Sequence, residues 1–155
     1  MGGAVEKRLK DKSIELPQPA VPAANYVPYV VSGNLAFIAG QIPFWNGELN
    51  YVGKVGQEFS IEEGQAAARM CGLNVVAQVR AACGGDLDRV VRCVKVGGFV
   101  AAGPEFTDQP KVMNGASDLF VEVFGDAGKH ARFAVAAPSL PLGVAVEVDA
   151  VFEIK

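Results

Sequence analysis

Apolar positions recur along this chain at two spacings, and the change from one to the other marks out its elements. Residues 26–31 and 35–39 are β-branched or aromatic runs separated by Ser32-Gly33-Asn34, a short hairpin signal. Gly40-Gln41-Ile42-Pro43 breaks that pairing, and a loop containing Trp45, Asn46 and Gly47 runs on to Gly56, long enough to carry function. From Ser60 the period becomes helical. Ser60-Ile61-Glu62-Glu63 forms a capping box, Ala68, Cys71, Val75, Val79 and Ala82 share one face, and Gly84-Gly85 stops a helix of about six turns.

Residues 90–101 are rich in Val with Phe99 and read as a strand, in which Gly97-Gly98 predicts a bulge or a close backbone approach. A second helix begins at Thr107 or Asp108 with Pro110 in its first turn. It buries Val112, Ala116, Leu119, Phe120 and Val123 and ends at Gly125 or Gly128. Two strands close the chain, 132–137 and 144–154, joined by a turn through Pro138-Ser139-Leu140-Pro141-Leu142-Gly143. In the last one Val146, Val148, Ala150, Phe152 and Ile154 alternate with Ala145, Glu147, Asp149, Val151 and Glu153.

The order β-β-α-β-α-β-β predicts an α+β domain with two helices on one face of a mixed sheet. Its other face needs cover from solvent, from residues 1–24, or from another subunit. Those first 24 residues open with mixed charges, Glu6 to Lys12, and turn proline-rich at Pro17, Pro19 and Pro22. Proline fixes φ and removes a donor, so they read as an extended arm with room for one helical turn before it, pinned by Leu9, Ile14 and Leu16. Residues 25–155 form the domain.

Composition narrows the cover. The chain is 50% hydrophobic and 20% charged, with a mean hydropathy of +0.24. That is apolar for a monomer and favours burial of one face between subunits. A formal net charge of −3 disfavours nucleic acid as the main partner. Cys71, Cys83 and Cys93 lack CxxC spacing and read as small core residues in a reducing compartment. With His130 the one histidine, a zinc site has too few ligands, so no metal is expected. The N-terminus has no apolar signal region and no window approaches a bilayer span of about 20 apolar residues. The expected location is the cytoplasm.

Few motifs carry chemistry. Gly125-Asp126-Ala127-Gly128-Lys129-His130 has too few residues between its glycines for a phosphate loop and lacks Ser or Thr after Lys129, and there is no GxGxxG. Only His130 could activate a nucleophile, and in its glycine-flanked turn a solvated or capping role is the commoner fate. Arg132 and Glu147 stand out as charges inside apolar strands. Arg132 reads either as a snorkelling strand-end cation or as a bidentate fork for a substrate carboxylate. Glu147 reads as the polar face of an alternating strand or, if it faces a cleft, as a general base for water. By pattern alone the plainer reading of each is the commoner. Asn114 and Tyr26 carry no specific signal by themselves.

Five segments change this. Tyr26-Val27-Pro28; Gly33 through Pro43, which includes Ala39-Gly40-Gln41; Val112 through Phe120 around Asn114; Ala131-Arg132-Phe133-Ala134-Val135; and Leu140 through Ala150 resemble, in order and spacing, the reactive intermediate deaminase family RidA/YjgF. The resemblance spans about residues 25–155. The chain looks like a longer variety with an N-terminal extension and a longer loop around Trp45. The resemblance implies a chorismate-mutase-like fold, a homotrimer with three inter-subunit clefts, and no cofactor. The activity it implies is hydrolysis of small 2-imino acids to 2-oxo acids and ammonia, which disposes of reactive metabolites. By position, Arg132 is implied to bind the substrate carboxylate and Glu147 to activate or orient water, with Tyr26, Gly40, Asn114 and Ala134 lining the cleft. The chain departs from the family at Ala134, where cysteine is usual, and at Ala39, where Ser or Thr is usual. Two other classes stay open: a non-catalytic trimer that senses small carboxylates, and the ribonuclease activity of some relatives.

Overall fold

The computed structural model describes residues 3–22 and 24–155. Residues 1, 2 and 23 of the expected arm lie outside the described residues. The chain opens with α1 (Ala4–Asp11), two turns where one was expected, and Leu9 on it enters the core. The helix start is capped from a distance: the Ala4 and Val5 amides both donate to the Asp88 carboxylate at 2.9 Å. No residue within the arm supplies this cap, so local pattern underestimates the helix.

Strands β1 (Tyr29–Ser32) and β2 (Leu35–Gln41) form the expected hairpin, closed through Gly33-Asn34 with Gly33 at φ +62°. The loop that follows is itself structured. Phe44–Trp45 (β3) pairs with Glu48–Leu49 (β4) across Asn46-Gly47, both at positive φ. Asn-Gly is the strongest short hairpin signal, and it was present in the sequence.

Helix α2 (Ile61–Ala82) begins with the predicted box, Ser60 and Glu63 exchanging side-chain-to-backbone bonds at 3.0 and 3.2 Å. Strand β5 (Val90–Ala101), helix α3 (Gln109–Phe124), β6 (Ala131–Ala137) and β7 (Val146–Ile154) follow. At Gly97-Gly98 the reason for glycine is close packing rather than a bulge. A Cβ at Gly97 would strike Asp149 and the Phe133 ring, and one at Gly98 would strike Met113, whereas the register shifts of β5 lie earlier, near Val90 and Cys93.

The sheet order is β1-β2-β7-β5-β6, so the last strand inserts between β2 and β5 and runs antiparallel to both. β5 and β6 are parallel, with α3 as their crossover. Ala36, Ile38, Val96, Val100, Val146, Val148, Ala150 and Phe152 face α2 and α3 and are buried. The opposite face carries Val30, Phe37, Phe99, Phe133 and Val135, each 37–52% exposed. This is the apolar sheet face that composition predicted would need cover.

Candidate functional site

The expected site residues divide into two groups. Glu147 pairs in register with Phe99 and so lies on the open face of the sheet. Opposite it, β2 carries a bulge: Ile38 pairs with Ala150 and Gln41 with Val148, so two residues of β2, Ala39 and Gly40, face one of β7. The bulge brings the Gly40 backbone against the Glu147 side chain, and a Cβ there would collide with the carboxylate. Tyr26, Pro28, Gly40, Ile42 and Leu142 join Glu147 around a pocket of about 170 Å³. Burial first, and the neighbouring Asp149 charge second, hold the Glu147 carboxyl above its usual pKa. Such a carboxylate is poised to take a proton.

Arg132 and Asn114 form the second group. Arg132 pairs with Val96 and so lies on the helix side of edge strand β6, with Ala134 two residues on. Its NH1 donates to Asn114 Oδ1 and to Ser117 Oγ, both at 3.0 Å, and its NH2 donates to the Pro110 carbonyl at 3.3 Å. A guanidinium has five N–H donors. Three are used among the described residues, which leaves the Nε–H and one NH2 hydrogen for a carboxylate.

Behind Ser117 stands His130, stacked edge-on against Phe120 at 5.8 Å. Its Nδ1 lies 2.6 Å from the Gly128 carbonyl and its Nε2 2.9 Å from Ser117 Oγ. A carbonyl can only accept, so Nδ1 carries the hydrogen in the neutral ring and Nε2 accepts from the serine hydroxyl. The directions therefore run Arg132 to Ser117 to His130 to Gly128. Burial first, and Arg132 as well, push the His130 pKa down against the Gly128 bond, which favours this neutral form. The solvated turn histidine expected from its glycine-flanked sequence is thus half-buried and bonded. Ser117 went unnoticed in the sequence, although its i, i+3 spacing from Asn114 puts both on one helix face.

Within one chain the two groups do not meet, because Arg132 and Glu147 point to opposite faces of the sheet, two strands apart. The thiols offer no nucleophile. Cys71, Cys83 and Cys93 are buried, burial raises each pKa, and Cys93 is pushed up to about 12. Among the described residues no three His, Cys, Asp or Glu side chains are placed to hold a metal. None of the described helices is long and apolar enough to cross a membrane.

A family described as "YjgF/chorismate mutase-like, putative endoribonuclease" matches residues 6–154. The chain belongs to this family. The match covers both groups of site residues and all five strands of the main sheet. Protein TCP17 of Trypanosoma cruzi is 50% identical over 154 residues, 99% of this chain and 96% of that protein. A solved structure of an Agrobacterium tumefaciens protein of unknown function is 45% identical, with a TM-score of 0.89 over 97% of this chain and 94% of that one. Another, of a "putative endoribonuclease" from Shewanella oneidensis, is 36% identical, with a TM-score of 0.94 over 98% of this chain and 100% of that one. The chain therefore has the mixed-sheet α+β architecture of the YjgF family, and that membership supports a related small-molecule function.

Proposed function

We propose that this YjgF-family protein hydrolyses small 2-imino acids to 2-oxo acids and ammonia in clefts between the subunits of a homotrimer. The observation that carries the reading is the Arg132 fork, held by α3 yet with its Nε–H and one NH2 hydrogen left for a planar carboxylate. The exposed apolar sheet face supports assembly. Pairing the Arg132–Asn114 group of one subunit with the Glu147–Tyr26–Gly40 pocket of its neighbour completes a site that one chain leaves in halves.

In that site Arg132 and Asn114 hold the substrate carboxylate, and the backbone at Ala134 lines the cleft. Glu147 takes a proton from water as its oxygen bonds to C2 of the protonated imine. Glu147 passes that proton to nitrogen, and the C–N bond breaks as the new hydroxyl gives its proton to the freed Glu147 carboxylate. The 2-oxo acid and ammonia separate, the ammonia taking the last proton from Glu147 to leave as ammonium. An iminium carbon is electrophilic enough that positioning and one base suffice.

The test is to generate 2-iminopropanoate in situ and follow its loss with and without protein, and with Arg132→Ala. Acceleration that the substitution abolishes is expected. No acceleration, or acceleration untouched by the substitution, refutes the reading, and saturable 2-oxo acid binding without turnover assigns a carboxylate sensor instead. Light scattering should give three chain masses. For the endoribonuclease that the family description names, the net charge of −3 and the one histidine, tied to Ser117 and Gly128, give little support.

A further inference from the structure

The arm reaches the pocket and forms one of its walls. Ala20, Val21 and Pro22 line the 170 Å³ space together with Ile42, Phe44, Leu142 and Glu147. The wall is anchored to the body at two places. Gln78 of α2, only 1% exposed, donates from Nε2 to the Ala20 carbonyl at 2.9 Å, and the Gln18 amide donates to Asn46 Oδ1 at 2.8 Å. The prolines at 17, 19 and 22 stiffen the segment between and around these bonds. A buried amide on a core helix is thus committed to placing an otherwise peripheral stretch of backbone.

The surface this creates is one-sided in its chemistry. Its polar groups gather around Glu147 and Tyr26, while the Gln41 amide is occupied by the Ala39 carbonyl at 3.0 Å and by Gln78 at 3.5 Å. Among the described residues of one chain, no lysine or arginine lines the pocket. With the substrate carboxylate already held by Arg132 of the neighbouring subunit, a second acidic group there would meet Glu147 with no counter-charge from this wall, and any buried polar group would lose water without a partner. The space also sets a size. An apolar cavity of about 150 Å³ accommodates benzene, and with roughly 30 Å³ for each water-sized group, 170 Å³ holds a reacting carbon and about four more.

We propose that Ala20–Pro22 of the arm, with Ile42, Phe44 and Leu142, form a side-chain pocket that selects 2-imino acids bearing a branched aliphatic side chain of about four carbons. This rests on the deaminase reading for the reaction but not for the binding. The arm is then a specificity element of the site, held in place from the core by Gln78.

The test measures binding and turnover separately on the full chain. Calorimetry with pyruvate, 4-methyl-2-oxopentanoate and 2-oxoglutarate should give a Kd about tenfold or more lower for the branched acid than for pyruvate, and the weakest binding for 2-oxoglutarate. Val21 is 85% exposed, so substitution there leaves folding alone. Val21→Asp should erase the preference, and Val21→Arg should move it toward 2-oxoglutarate. Equal affinities, a preference for 2-oxoglutarate by the unaltered chain, or a preference that survives Val21→Asp would overturn the proposal. Imines generated from alanine and leucine report turnover in parallel. Absence of turnover with the binding preference intact refutes the deaminase reading and sustains the pocket.

Discussion

Replacing Ser117 by alanine cuts the hydrogen-bond chain that fixes Arg132. The hydroxyl accepts from Arg132 NH1 at 3.0 Å and donates to His130 Nε2 at 2.9 Å, so both bonds go at once. Each is half-buried and contributes about 1 kcal/mol. Against this, alanine is the better helix former by roughly 0.5 kcal/mol at this position in α3. The net loss is about 1.5 kcal/mol, which for a chain of this size lowers Tm by roughly 3–6 °C. Arg132 keeps Asn114 and Pro110 but gains rotational freedom that a ligand must remove, at about 1 kcal/mol, so the Kd for a 2-oxo acid rises about fivefold. Calorimetric melting and titration of the same preparation measure both. A Tm within about 1 °C of wild type together with an unchanged Kd would refute the assignment of Ser117 as the brace. Ser117→Thr, which keeps the hydroxyl, should recover most of the affinity.

Gly40→Ala should reduce kcat roughly tenfold to a hundredfold with Tm little changed, because its Cβ displaces the Glu147 carboxylate and small misplacements are costly; unchanged imine turnover would contradict the close approach. On the proposed base role of Glu147, the rate should rise with pH through a midpoint above the ordinary carboxylate value, because burial raises its pKa, and Glu147→Gln should remove that limb. In stability the sign is opposite. Folded Glu147 holds its proton more tightly than unfolded, so Glu147→Gln should be the more stable form at pH 7, an advantage that disappears below the usual carboxylate range. His130 has a lowered pKa, so its contribution is intact above the ordinary imidazole value and is lost as pH falls toward the folded one. Chemical denaturation at pH 7 and pH 5.5 should therefore show a smaller loss for His130→Gln than for wild type.

Much of this molecule is written in local pattern. The Ser60–Glu63 capping box, the 90–101 strand, Pro110 in the first turn of α3 and the alternation of β7 each act over a few residues, where backbone preference and side-chain period suffice. The five family segments carried the architecture further, since they named the fold that this element order adopts. Contacts between distant residues had no such signal. Asp88 caps a helix more than eighty residues away, Gln78 fixes the arm, and His130 leaves its turn to brace Arg132 through Ser117.

The sequence by itself determined the two long helices and the five strands of the main sheet to within a few residues, and which two charges sit inside apolar strands. Only the tertiary structure decided that β7 lies between β2 and β5, a choice made by long-range pairing rather than by any neighbour along the chain. That insertion, with the bulge at Ala39-Gly40, places Glu147 on the open face while Arg132 stays on the helix side. A strand's period of two fixes which residues share a face, but which face meets the helices is set by packing. The two charges that sequence puts fifteen residues apart therefore lie on opposite faces of the sheet, two strands apart.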